Sequence, residues 1–130
     1  MFDTGRVLLG KAAGDLKAIQ HMQDTFTFDE HVFGFLAQQA CEKALKAWLL
    51  HTGGESPFIH DLRKLMTMLA VAGQEVAEAD AIHALTVYAV GLRYDEAPPA
   101  DLLDRPATVA LCEGLFNHVV ELTGYDPEKR

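Results

Sequence analysis

At 130 residues, with 49% apolar and 23% charged side chains, the chain suits one globular domain able to bury a core. No apolar run approaches the roughly 18 residues of a membrane-spanning helix, and Met1-Phe2-Asp3-Thr4-Gly5-Arg6 has neither basic head nor apolar stretch, so a cytoplasmic protein without membrane attachment is expected. The net charge of −8 is uneven, with 8 acids and 7 bases in residues 1–73 against 11 acids and 4 bases in residues 74–130; nucleic-acid binding through phosphate neutralisation needs a basic surface, so it is disfavoured for this chain alone.

Residues 4–24 place Val7, Leu8, Ala12, Leu16, Ile19 and Met22 at helical spacing, which predicts a first amphipathic helix. Gly10 and Gly14, four apart inside it, suggest a close helix neighbour. Thr25-Phe26-Thr27-Phe28 interrupts the pattern, and Asp29 offers an N-cap for a second helix over residues 30–51 that ends at Thr52-Gly53-Gly54. Asp61 is the expected N-cap of a short third helix with Leu62, Leu65, Met66 and Leu69 as its stripe. A fourth helix over residues 78–92 turns Ile82, Leu85, Ala89 and Leu92 inward and stops before Pro98-Pro99. Asp104 and Pro106 open a fifth, with Val109, Cys112, Leu115, Phe116, Val119 and Leu122 as its stripe and Thr123-Gly124 as its end. Helices 2 and 4 are expected to carry the core.

Helix 2 has two faces. Phe33, Leu36, Ala37, Ala40, Cys41, Ala44, Ala47 and Trp48 fall within an arc of about 140°. Gln38, Gln39, Glu42, Lys43 and Lys46 lie opposite, with Glu42 and Lys46 in the favourable i,i+4 order. Phe35, Leu49 and Leu50 sit among those polar groups, so the polar face is expected to be covered by another helix or another subunit. Cys41 and Cys112 both lie on apolar faces and read as buried free thiols.

The run Gln38-Gln39-Ala40-Cys41-Glu42-Lys43-Ala44-Leu45-Lys46-Ala47, then His60-Asp61-Leu62, then Arg93-Tyr94-Asp95, resembles the HEPN domain family, over about residues 3 to 123. The resemblance implies the same helical bundle and a homodimer. It also implies two functions: binding, since the family was named for proposed nucleotide binding, and metal-independent ribonuclease activity. The nuclease pairs an Arg with a His after four to six intervening residues, an acid or base beside a cation that holds phosphate. Here Arg6 leads to Lys11, Ala12 and Ala13, Arg63 to Met68, Leu69 and Ala70, Arg93 to Pro98, Pro99 and Ala100, and Arg105 to Ala110, Leu111 and Cys112. None of those positions is His, so no catalytic residue is assigned.

Other chemistry finds no support in the pattern. There is no Glu-x-x-His or His-x-x-x-His for a metal, no Gly-x-Ser-x-Gly, and no Gly-Lys-Ser/Thr after Gly53-Gly54; no metal or cofactor is expected. Gln38, Gln39, Glu42, Lys43, Lys46, His60, Asp61, Arg93, Tyr94 and Asp95 remain as a polar seam. It reads either as a structural network or as a nucleotide or partner site in which Arg93 and Lys43 hold phosphates and Tyr94 stacks on a base.

The expectation is therefore an all-α protein: an antiparallel four-helix up-and-down bundle with an additional short helix. One domain spans residues 1–130, with a core over 4–123 and a loose tail. Small HEPN proteins of this kind resemble the partner of a minimal nucleotidyltransferase in toxin–antitoxin pairs, so a binding component of such a pair is the expected function. A HEPN ribonuclease with a non-standard active site and a structural scaffold are the alternatives.

Overall fold

A computed structural model of the chain describes residues 3–89 and 102–126. Five α-helices follow in order, α1 Thr4–Gln20, α2 Glu30–His51, α3 Leu62–Val71, α4 Ala79–His83 and α5 Arg105–Thr123, with a 3-10 helix at Ala84–Tyr88 after α4. No strand occurs among the described residues. The fold is all-α, as the apolar spacing requires.

The ends of the helices follow local chemistry. Asp3 accepts from the Arg6 amide at 3.1 Å, Asp61 from the Arg63 amide at 2.9 Å and Asp104 from the Ala107 amide at 3.0 Å, each satisfying a first-turn donor for about 1 kcal/mol. Asp29 precedes α2 but makes no such side-chain bond. Gly124 closes α5 at φ 72°, a conformation that costs glycine nothing.

Helix α2 is the axis of the molecule, packing on α1, α3, the 3-10 helix and α5, most extensively on α1. Phe33, Ala37, Ala40, Cys41, Ala44, Ala47 and Trp48 are all buried, Leu36 partly so. They join Leu9, Leu16 and Ile19 of α1, Leu62, Leu65 and Leu69 of α3, and Val109, Leu115 and Val119 of α5 in one continuous cluster. Each large member contributes about 1.5–3 kcal/mol through the area it hides from water.

Three expectations are corrected. Helix α1 ends at Gln20 rather than residue 24, because residues 22–28 are drawn down onto α5 by Arg105, whose guanidinium donates to the carbonyls of Met22, Asp24 and Phe28 at 2.8, 3.3 and 2.7 Å. The fourth helix is a single α-turn that tightens into the 3-10 segment, where the β-branched pair Thr86-Val87 weakens α-propensity and the Thr86 hydroxyl accepts from the Leu62 amide at 3.3 Å. Residues 90–92 of the expected helix lie outside the described residues; in the described part Ile82, Leu85 and Tyr88 are buried, and α1 packs more extensively on α2 than that part does. Nor do Gly10 and Gly14 mark a tight crossing, since a methyl group at Gly10 would sit 3.5 Å from the Tyr125 hydroxyl and at Gly14 would meet nothing. The tight crossing is at Gly34, where a methyl group would overlap the Tyr88 ring carbons.

Candidate functional site

The polar side of α2 is buried by the chain itself. Gln38 is fully buried, Glu42 and Lys46 nearly so, and Leu49 is 3% exposed, because the segment before α3 folds across them. The covering element is therefore within the chain, and Phe35, Gln39, Lys43 and Leu50 remain partly exposed there.

Gln38 organises this seam. Its amide nitrogen donates to Glu42 Oε1 at 2.9 Å and to the main-chain carbonyl of His60 at 3.1 Å, while its oxygen accepts from Gln39 at 2.8 Å. One side chain thus ties successive turns of α2 to the approach to α3. Glu42 receives Gln38 and His60 Nδ1, the latter at 2.9 Å, on one oxygen, and Lys46 at 3.0 Å on the other. Burial pushes the Glu42 carboxyl up, but the hydrogen bonds from Gln38, His60 and Lys46 outweigh it and hold the group below its ordinary value. An ionised carboxylate only accepts, so His60 Nδ1 is the donor and its Nε2 is the acceptor of the neutral ring. The His60 side chain is 64% exposed while Glu42 is 6% exposed: a buried carboxylate fixes the tautomer of a surface imidazole.

The other predicted residues fall in different places. Asp61 caps α3 and lies 4.0 Å from His83 Nδ1. Lys43 turns to α1, where it pairs with Asp15 at 2.6 Å, and takes no part in the seam. Arg63 pairs with Asp80 at 2.6 Å. Lys43, Lys46 and Arg63 are each matched by a carboxylate. Arg93, Tyr94 and Asp95 lie outside the described residues.

A second polar cluster escaped the sequence reading. Arg105, 3% exposed, lies over the Phe33 ring at 4.8 Å, holds the three carbonyls described above, and approaches Glu30 to 3.7 Å. Glu30 in turn accepts from the Tyr88 hydroxyl at 2.9 Å and the Leu103 amide at 2.7 Å. Burial and the Glu30 carboxylate together push the Tyr88 phenol up, well above its ordinary value. The signal in the sequence was Gly34, one turn after Glu30, inside an otherwise strong helix former. Two clefts also lie away from the seam. One, of about 800 Å³, opens among the start of α1 and the ends of α2 and α5, with Arg6, Leu9, His51 and Tyr125 on its walls. The other, of about 540 Å³, lies beside α3 between Arg63 and Gln74. None of the seven predicted site residues that the structure describes lines either.

Among the described residues no group of three or more His, Cys, Asp or Glu could hold a metal ion, and no helix is long and apolar enough to cross a membrane. No curated protein and no solved structure matches the chain. The model of the HEPN domain matches residues 6–122, nearly the whole sequence and all of the elements described above, and the chain belongs to the HEPN domain family.

Proposed function

We propose that this HEPN protein is a binding component that works through a basic partner protein, of the minimal nucleotidyltransferase kind, rather than a self-contained nuclease. The distribution of charge carries the reading. From residue 74 onward the described residues include seven carboxylates, Glu75, Glu78, Asp80, Asp104, Glu113, Glu121 and Asp126, of which Asp80 pairs with Arg63 and Asp104 caps α5, and one base, Arg105, which is buried. A surface of one sign steers an oppositely charged partner and fixes its orientation. The missing Arg-His spacing supports the same reading, as does the pairing of Lys43, Lys46 and Arg63 with carboxylates. Co-expression with a minimal nucleotidyltransferase encoded beside it should give a complex that co-purifies at low salt and weakens as salt rises. Separate elution at low salt would refute the proposal.

A nucleotide in the seam is the second reading, favoured by the exposed His60 ring, which can stack on a base beside Gln39. Calorimetric titration with ATP tests it, and absence of heat removes it. A homodimer belongs to the same proposal, with Phe35 and Leu50 as its apolar contribution. Light scattering that gives only the 14.3 kDa mass would exclude that part.

A further inference from the structure

Cys41 of α2 and Cys112 of α5 are 71 positions apart in sequence, yet their sulfurs touch at 3.6 Å. Both are free thiols, 1% and 2% exposed. Cys112 also lies 3.7 Å from the Ala37 carbonyl, so its sulfur points into α2. A disulfide needs the sulfurs at about 2.05 Å, and the remaining closure is of the size that side-chain torsions supply. A chance pair of small core residues has no need to set sulfur against sulfur across the two helices.

We propose that Cys41 and Cys112 are a latent disulfide, closed by exchange with a low-molecular-weight disulfide such as oxidised glutathione, which staples α5 to the helix that carries Gln38 and Glu42. In the first step the thiolate of one cysteine attacks a glutathione sulfur, forming a mixed disulfide and releasing one glutathione thiolate. In the second the other cysteine's thiolate attacks the protein sulfur of that mixed disulfide, and a second glutathione leaves. The protein loses two electrons and two protons, and one oxidised glutathione becomes two reduced ones. In the closed fold, contact with Cys112 and burial push the Cys41 thiol well up, so the resting Cys41 thiol is protonated and inert. Exchange therefore begins when α5 opens locally and ends when it closes again. Because the cross-link closes a long loop, it restricts the unfolded chain strongly.

The test avoids the slow access of reagents to the core. Full-length reduced protein is unfolded in guanidinium and refolded into glutathione buffers of increasing oxidised fraction. The expected product is a monomer lighter by two hydrogens, with a Cys41–Cys112 cross-linked peptide after digestion. Its Tm should lie about 10 °C above that of the reduced protein and return on adding dithiothreitol. Cys41→Ser and Cys112→Ser should each abolish the shift. Where either variant fails to fold, the mass and peptide map of the unsubstituted chain decide alone. Refolded protein that keeps both free thiols, carries glutathione on one of them, or cross-links only between chains would overturn the proposal.

Discussion

Helix α2 carries two buried polar clusters one after the other, and they differ in where they end. At its start, Arg105, Glu30 and Tyr88 form a closed arrangement: the guanidinium serves three carbonyls of one loop, Glu30 receives an amide and a phenol, and every member is buried or nearly so. Further along, Gln38, Glu42 and Lys46 are just as deeply buried, but the chain of hydrogen bonds runs out to an exposed imidazole. A closed cluster fixes geometry and presents no exposed group to a partner. An open one transmits the order of the core to a surface group, which is what a recognition residue requires.

The strongest way to break the comparison is to remove Arg105. Arg105→Ala leaves Glu30 without its cation and three carbonyls without their donor, so a loss of about 3–5 kcal/mol is expected from chemical or thermal unfolding. If the loss were under about 1 kcal/mol, the first cluster would not be a structural tie. Glu42→Gln in the second cluster keeps the volume but removes the charge that Lys46 and His60 share, for an expected loss of about 1.5–3 kcal/mol. Its pH dependence gives a sharper signature. The folded-state value of Glu42 lies below the ordinary 4.5, so its contribution is complete above pH 4.5 and is lost as pH falls through the lower folded value. The gap between the parent protein and Glu42→Gln should therefore narrow in acid denaturation below about pH 4.5, and a constant gap would contradict the geometry. Gly34→Ala forces the buried Tyr88 ring aside while that ring's hydroxyl is held by Glu30; about 1–3 kcal/mol should be lost, and restoring space with Tyr88→Leu should recover part of it.

The open cluster was more legible in the sequence than the closed one, for physical reasons. Gln38, Glu42 and Lys46 share one face of one helix, so the 3.6-residue period brings them together without knowledge of the fold. His60 could be attached to them only through the family motif. Lys43 was grouped with them because it falls on the same polar arc, but at its edge, about 100° from Glu42, and the structure gives it to Asp15. Arg105, Glu30 and Tyr88 come from three elements separated by as many as 75 residues, and no local rule joins them. The same limit explains the fourth helix: apolar residues at the right spacing predicted a continuous helix, but the Thr86 hydroxyl is used by the Leu62 amide, a contact that only the packed fold creates.

The smallest effect on stability separates the two clusters most clearly. His60→Ala removes a mostly exposed ring and one hydrogen bond to Glu42, while Gln38 and Lys46 still satisfy that carboxylate, so unfolding should move by no more than about 0.5 kcal/mol. Binding of ATP, which the nucleotide reading places at this ring, should instead fall by about tenfold or more, the loss typical of a rigidly held contact worth over 1 kcal/mol. His60→Gln, which can keep an amide donor toward Glu42 but presents no imidazole, distinguishes the exposed ring from its buried tie: recovered stability with binding still weak places recognition on the exposed ring. A His60→Ala protein that binds as tightly as the parent would make the second cluster as closed as the first.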